Sequence, residues 1–538
     1  MKTMNVRGAG MPTRRSWLLH IGARAGAGMM LQAMGALALA TPSGFQAPQR
    51  LQGAPRGARV LVLGAGMAGL VAAHELRAAG YQVQVLEYNQ RAGGRSWTLR
   101  PGDVHTELGG VTQQCRWAPG QYFNPGPWRI PHHHHALLHY AQLFKVPLEP
   151  FVQVNHNAYL HARGAFGGQP LRYREVMADF HGELAELLDR LAPAAALDQP
   201  LDGIDRERLR AALRAWGALD GEGRYRSNPG RGDRRGWAVP PGGGRMSVEQ
   251  PSTALPTDAL WQSGLWEYLA DDQSIEHQTT LLQPVGGMDR IAQALYASLK
   301  PLVRLGARVQ AVQQDERGVR AVWTDTRTGT THTSTADACV CTLPLSILGQ
   351  LDVQVQPAMR AAIEAVPYAS AVKVGLQFKR RFWEQDEAIY GGISHTDMAI
   401  GQIGYPSHGL GSHGPGVLLG AYVWGPNAFT MTGMSPAQRV EVALAQGAVL
   451  HPAYRKEFEV GMSVAWHRVP FTLGCFGQWS NDARARHYEA LTAIDGRLVL
   501  AGEHASRLPA WQEGAVLSAL DATSRLHAHL RATMKGAA

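Results

Sequence analysis

The stretch RVLVLGAGMAGLVAAHELRAAGYQVQVLEYN, residues 59–89, constrains this chain more than any other. Val60–Leu63 is an unbroken apolar run, the pattern of a parallel strand covered on both faces. Gly64, Ala65, Gly66, Met67, Ala68 and Gly69 follow it directly. Leu70–Ala79 carries a helical pattern, Gly80 ends it, Tyr81–Leu86 reads as a second strand, and Glu87 closes that strand. Each position has a physical task. Gly64 allows a tight turn, Gly66 lets the backbone approach a pyrophosphate, and Gly69 lets helix and strand pack closely. The helix N-terminus then meets phosphate charge. Glu87 can accept hydrogen bonds from a ribose, and its charge disfavours a 2′-phosphate. The glycines alone mean little. In this strand–turn–helix–strand–acid order they specify a dinucleotide site on a Rossmann-like α/β sheet.

The 538 residues suffice for a large core and about two to four domains. With 45% hydrophobic and 18% charged residues, the chain has a globular composition. Its net charge of +9 is scattered, with no basic run longer than Lys379–Arg381. No aromatic–basic interleaving is present, so no nucleic-acid partner is expected, and Lys379, Arg380 and Arg381 are expected to be solvated. The charge leaves a mild bias toward anionic or carboxylate substrates. The four cysteines, Cys115, Cys339, Cys341 and Cys475, have no metal or redox spacing. Cys339 and Cys341 lie in ACVCTLP, which reads as a buried strand with inert thiols.

At the N-terminus, TRRSWLL (13–19) sets two adjacent arginines before a Gly/Ala-rich, weakly hydrophobic segment that ends in Ala38–Ala40. This looks like a twin-arginine export signal with an A-x-A cleavage site, implying the twin-arginine export machinery as a partner and a periplasmic or secreted bacterial protein. Arg24 and Gln32 interrupt the segment, so no stable membrane insertion is expected. Residues 41–58 read as a flexible linker.

The stretch NQRAGGRSW (89–97) adds a second glycine pair, Gly93 and Gly94, and then Arg95. Together with residues 59–89 it resembles the FAD-binding segment of the flavin amine oxidase family, which includes monoamine, polyamine and L-amino acid oxidases. In that family this arginine sits by the flavin and pyrophosphate. Five further segments agree with the resemblance. QPVGGMDRIAQAL (283–295) matches a GGM turn and helix. RVQAVQQDERGVRAVW (308–323) reads as a hairpin around 315–318 that places Val309 near the FAD. ACVCTLPLSIL (338–348) matches a strand returning to the FAD domain. RLVLAGEHAS (497–506) ends in an AGE motif, with Gly502 and with Glu503 at the ribityl chain. WQEGAVLSALDATSRL (511–526) is the terminal helix, its start facing the flavin. The resemblance runs from Arg59 to about Leu530; residues 152–280 match no motif closely. FAD is the cofactor it implies. The bond is expected to be non-covalent, since no cysteine sits in a recognised flavinylation motif, and Cys475 is the thiol to check.

SAVKVGLQFKRRFWE (370–384) alternates like a strand, and Lys373 sits opposite Val372 and Val374 in phase. A lysine on an apolar strand is costly to bury without a use. The resemblance implies that Lys373 is held through a water to flavin N5 and assists the oxygen half-reaction. The bland alternative is a surface lysine on a half-exposed strand.

GPWRIPHHHHALLHYAQLF (126–144) resembles the L-amino acid oxidase branch, whose arginine here grips the substrate carboxylate. That residue is Arg129, with Trp128 in place of the usual Met. A planar guanidinium matches a carboxylate fork, and Pro127 and Pro131 stiffen the backbone around it. The alternative is a structural arginine bridging the helix start. GVLLGAYVWG (416–425) resembles the strand whose tyrosine, Tyr422, gives the carboxylate a further hydrogen bond. Trp511 matches the aromatic beside the substrate, and Ala510 stands where Gly is usual, which puts the amino-group pocket's size in question. The four histidines His132–His135 look like a tag or a metal site. On a helix, consecutive residues point to different sides, so no metal is expected there and a surface role at the helix start is favoured, with a substrate-side contact by one of them as the alternative.

The expected architecture is α/β: a Rossmann-like FAD-binding domain, a mixed-sheet substrate domain and a helical insertion. Its segments are 1–40 signal, 41–58 linker, 59–104 FAD, 105–170 substrate, 171–280 helical with a Gly/Arg-rich loop at 220–245, 281–350 FAD, 351–470 substrate and 471–538 FAD. The activity implied is oxidative deamination of L-amino acids, apolar or aromatic, to 2-oxo acids, ammonia and hydrogen peroxide, by hydride transfer from Cα to flavin N5 with O2 as reoxidant. The rivals are a tryptophan 2-monooxygenase-like decarboxylation to an amide, an amine or polyamine oxidase, and a redox-silent flavoprotein scaffold. A homodimer is the assembly weighed, with no residue pattern deciding it.

Overall fold

Strand Arg59–Leu63 takes an interior place in a six-stranded sheet, because alternate residues supply apolar side chains to both faces. The computed structural model describes residue 45, residues 47–191 and residues 203–534; the export segment expected at 1–40 lies outside the described residues. The sheet order is Val303–Leu305, Gln82–Glu87, Arg59–Leu63, Ala338–Cys341, Leu498–Leu500 and Ile494–Asp495. The first five strands are parallel and the last is antiparallel. Val60 and Val62 face a core shared with helices Met67–Ala78 and Gln512–Met534. Leu61 and Leu63 face a second core with Val309, Trp323, Cys339 and Cys341. Each such fully buried aliphatic side chain contributes about 1.5–3 kcal/mol.

A seven-stranded mixed sheet runs in the order Phe458–Ala465, Ala371–Phe378, Gly416–Trp424, Gln402–Tyr405, Gly392–Thr396, Tyr159–His161 and Leu171–Arg172. Only the Gly392–Thr396 and Tyr159–His161 pair is parallel. The strand at 171–172 belongs to this sheet, so the helical part begins with Tyr173–Leu191. Leu281–Pro284, expected with the FAD domain, instead pairs with Ile130–Pro131 and Leu148–Phe151 in a three-stranded sheet.

Two expectations about arginines are corrected. The 220–245 tract is not a plain loop: it contains helix Gly232–Arg235 and strand Trp237–Val239. Buried Asp179 organises it, accepting hydrogen bonds from Arg235 Nε at 2.9 Å and the Tyr225 hydroxyl at 2.6 Å, since a buried carboxylate needs such partners. Arg381 is buried rather than solvated, because Glu384 one turn on neutralises it. Among the described residues, no helix is long and apolar enough to cross a membrane.

Candidate active site

The dinucleotide cradle forms where strand Arg59–Leu63 ends. Gly64 takes φ +98°, and a Cβ on Gly69 would lie 1.9 Å from the Gly64 carbonyl oxygen, so this close helix–strand contact excludes any side chain. Helix Met67–Ala78 starts at Gly66 with no side-chain cap and no acid in its first turn. Its leading N–H groups, with the positive end of the helix dipole, suit an anion. The second glycine pair folds against the first: Gly93 N–H donates to the Ala65 carbonyl at 2.8 Å, and a Cβ on Gly94 would come within 3.1 Å of Gly66 Cα. Glu87 accepts from the Ala65 N–H at 2.7 Å and the Asn89 N–H at 2.8 Å.

Arg95 and Glu503, 408 residues apart, meet at 2.7 Å. Arg95 also donates to the Cys475 carbonyl at 2.8 Å. Burial alone would lower the Arg95 pKa, but the Glu503 charge and hydrogen bond outweigh it and raise it. Glu503 further accepts N–H bonds from Gly477 at 3.1 Å and Ala510 at 3.2 Å. Ala510, where Gly was expected by resemblance, holds φ +70°, a left-handed conformation that a Cβ disfavours.

A cavity of about 890 Å³ is lined by Gly64, Gly66, Met67, Ala68, Glu87, Gly93, Gly94, Arg95, Gly502 and Glu503 toward the cradle, and also by Trp128, Arg129, Tyr422, Ala510 and Trp511. Arg129 is pinned by the chain that follows it. Ile130 after it pairs with Leu282. Helix His135–Leu143 follows, and its first N–H groups, those of Ala136 and Leu137, donate to the fully buried Glu513 carboxylate at 3.0 and 2.7 Å. The guanidinium lies 5.8 Å from the ring centroids of both Trp128 and Trp511. It contacts His277 Nε2 at 2.5 Å; a guanidinium only donates, so His277 Nε2 is the acceptor.

Lys373 is 1% exposed on a strand buried along its whole length, which rules out the surface-lysine alternative. It stands opposite Tyr422 in the antiparallel register. Its ammonium donates to the Gly126 carbonyl at 2.6 Å and lies 4.2 Å from the Tyr422 ring centroid. It is thus set just behind the cavity wall formed by Gly126, Trp128 and Tyr422. Burial pulls its pKa from 10.5 down to about 7, and the Arg129 charge pushes the same way.

Some placements differ from expectation. Val309 is buried in the core with Leu61, Leu63 and Leu86 and is not among the cavity residues, because strand alternation turns its side chain away. Ala65 and Gly69 shape the cradle from behind rather than line it. The histidines do not all lie at the surface: His133 and His134 are buried, while His132 and His135 are exposed. His133 and His134 precede the helix rather than occupy it, so the helical argument against convergence fails for this pair. His134 Nε2 lies 2.8 Å and His133 Nε2 3.3 Å from one oxygen of Glu276. Cys475 lines the cavity, and burial raises its thiol pKa to about 12.

The sequence reading missed Tyr268, His277, His395 and Trp424, all in the cavity wall. Trp424 was findable: two residues from Tyr422 on one strand, it shares that face. Tyr268 and His277 come from the stretch with no recognisable motif, and nothing around His395 marks it. Burial, with Arg129 nearby, lowers the His395 pKa to about 4, so the ring is neutral.

The family model described as flavin containing amine oxidoreductase matches residues 67–527. The chain belongs to that family. It is 32% identical over 488 residues to the flavin-dependent L-tryptophan oxidase RebO of Lentzea aerocolonigenes, covering 87% of this chain and 98% of the relative. An L-amino-acid oxidase of Siganus canaliculatus is 26% identical over 480 residues, covering 87% and 85%. Among solved structures, cyclohexylamine oxidase from Brevibacterium oxydans matches with TM-score 0.58 at 17% identity, covering 88% of this chain and all of the other. Putrescine oxidase bound to putrescine matches with TM-score 0.57 at 18% identity, covering 89% and 99%. The fold is that of the flavin amine oxidases. FAD is the cofactor of this oxidase, and the residues fit it: a cradle with no room for a Cβ at Gly69, a bare helix N-terminus, the buried acid Glu87, and the Arg95–Glu503 pair along one continuous cavity.

Proposed function

We propose that this flavin amine oxidoreductase deaminates L-α-amino acids with apolar or aromatic side chains. The observation that carries the reading is Arg129: a guanidinium on backbone anchored just after it by the Ile130–Leu282 pairing, in a cavity wall with Trp128 and Trp511 each 5.8 Å away. In this reading Arg129 grips the substrate carboxylate through paired charge-assisted hydrogen bonds, and the Tyr422 hydroxyl adds another. Trp128, Tyr268, Trp424 and Trp511 offer an aromatic lining for the side chain. Gly64–Gly69, Glu87, Gly93, Gly94, Arg95, Gly502 and Glu503 hold the FAD, which when bound accepts the two electrons of the substrate Cα–H bond. Lys373 supplies a positive charge beside the oxygen-reacting side, the electrostatic aid that favours reduction of O2. The balanced reaction consumes an amino acid, O2 and water and releases a 2-oxo acid, ammonia and hydrogen peroxide.

The relatives named as L-amino-acid and L-tryptophan oxidases support this reading. The solved putrescine and cyclohexylamine oxidases favour a second, in which Arg129 is structural and His277 is its partner. The test is anaerobic mixing of the yellow holoprotein with L-phenylalanine and, separately, with phenethylamine. Bleaching by the amino acid alone supports the carboxylate anchor; bleaching by the amine alone overturns it. A tryptophan 2-monooxygenase-like outcome is read from the products, an amide in place of a 2-oxo acid. The twin-arginine segment leads us to propose export across the cytoplasmic membrane, tested by replacing Arg14 and Arg15 with lysine and fractionating the cells.

A further inference from the structure

We propose that His133, His134 and Glu276 form a binding site for a divalent transition-metal ion of the zinc class. One ring nitrogen from each histidine and a Glu276 oxygen all lie within 4.8 Å of one another. The two histidine–carboxylate separations are 2.8 and 3.3 Å. Metal–ligand bonds of about 2.0–2.1 Å at tetrahedral angles require neighbouring ligand atoms about 3.3 Å apart, so small side-chain adjustments suffice. Two imidazoles with one carboxylate are a donor set that takes zinc, cobalt, nickel or copper ahead of magnesium or calcium.

Hydrogen bonding does not account for the cluster. All three side chains are buried, with 9%, 1% and 7% exposure for His133, His134 and Glu276. A hydrogen bond joins His134 to Glu276. His133 Nε2 makes only the 3.3 Å contact with Glu276, outside hydrogen-bond geometry, while His133 Nδ1 and Glu276 Oε1 have no hydrogen-bond partner. A buried polar group left so costs about 1–3 kcal/mol, and two in one cluster form a costly arrangement unless something else engages them. A cation held by His133, His134 and Glu276 engages at least one nitrogen of His133 and draws on the carboxylate.

The site has a consequence for the cavity. Its ligands come from two separate stretches, the turn before helix His135–Leu143 and the short helix Ile275–His277. The ion therefore clamps these stretches together. His277, next to Glu276, contacts Arg129, and the His134 ring stands edge-on to Trp511 at 5.0 Å. Metal occupancy then sets the position of His277 and Trp511 against Arg129. This coupling to substrate binding rests on the function proposed above; the metal site itself does not.

The test uses Co2+ as probe on chelator-treated holoenzyme, following ligand-field absorption on the long-wavelength side of the flavin bands. Wild-type protein should bind one Co2+ per chain with the intense bands of low coordination number. His133→Gln and Glu276→Gln should each weaken Co2+ binding by more than about 100-fold, beyond the loss typical of changing a group that only supports a metal ligand. The paired change His132→Ala with His135→Ala removes the two exposed rings and should leave binding intact. Absence of the bands in wild type overturns the site, as does their survival in both ligand variants. Their loss in the paired variant also overturns it, marking tag-like chelation at the surface. Flavin content establishes that each variant is folded, and should one fail to fold, the other decides. Anaerobic bleaching by L-phenylalanine, measured separately, shows whether the amino acid reading stands or falls independently.

Discussion

Lys373 and Tyr422 face each other across two antiparallel strands, and the buried ammonium lies 4.2 Å from the centre of the phenol ring. The ring thus serves two groups: its face meets the lysine cation, while the residue also lines the cavity. These roles separate on substitution. Tyr422→Phe retains the ring face and removes only the hydroxyl. We expect a rise of about tenfold to 100-fold in KM for an L-amino acid, the worth of one hydrogen bond to a charged group, with kcat little changed. Steady-state kinetics with L-phenylalanine check this.

Lys373 should act on the oxygen step alone. Lys373→Met is expected to leave anaerobic bleaching by substrate within about threefold of wild type and to slow reoxidation by O2 about 100-fold, as loss of one preorganised charge does. The pH dependence follows from burial. With its pKa lowered to about 7, the side chain is charged below that pH and neutral above it. The reoxidation rate should therefore fall as pH rises through about 7, and that dependence should vanish in Lys373→Met. Stopped-flow mixing of reduced enzyme with O2 across pH 6–9 measures both effects.

The cradle was legible because glycine is the only residue that solves its problems, and the packing shows why: no side chain fits at Gly69. The burial of Lys373 and the place of Arg129 in the cavity wall are what the structure adds to the reading of a charge in an apolar strand and of one in a proline-stiffened turn. His277 and Glu276 were not. They become neighbours of Arg129 and of the histidine pair only through contacts about 140 residues apart in sequence, in a stretch whose pattern resembles nothing in particular. His133 and His134 were misread because helical periodicity was applied one turn too early; the helix begins at His135.

Glu503 holds Arg95 in place along the FAD cavity. Glu503→Gln keeps the shape and removes the charge that offsets the arginine's burial. Because the Arg95 side chain retains 23% exposure, the penalty falls below that of a fully buried pair. We expect FAD to be retained at least about tenfold less tightly, equivalent to about 1.4 kcal/mol. Equilibrium dialysis with fluorescence of the released flavin measures it.

Arg129 decides the substrate class. Arg129→Lys keeps the charge but loses the planar fork. We expect kcat/KM for L-phenylalanine to fall at least about 100-fold, about 3 kcal/mol for the paired charged hydrogen bonds. The residual rate with phenethylamine, which has no carboxylate, should be unchanged within about twofold. Equal loss with both compounds would make the arginine a structural residue.

Ala510 carries strain that a smaller residue removes. Its φ of +70° costs an L-residue about 1 kcal/mol, and glycine at this position pays none of that while losing more chain entropy on folding. The two effects oppose, and where φ is positive the steric one is the larger. Ala510→Gly should therefore raise the stability of the holoenzyme by about 0.5 kcal/mol, seen as a higher midpoint in denaturant. The backbone N–H that Ala510 gives to Glu503 is unaffected, so FAD retention should not change. Removal of the methyl group also widens the cavity beside Trp511, and bulkier amino acids should gain in kcat/KM relative to L-alanine.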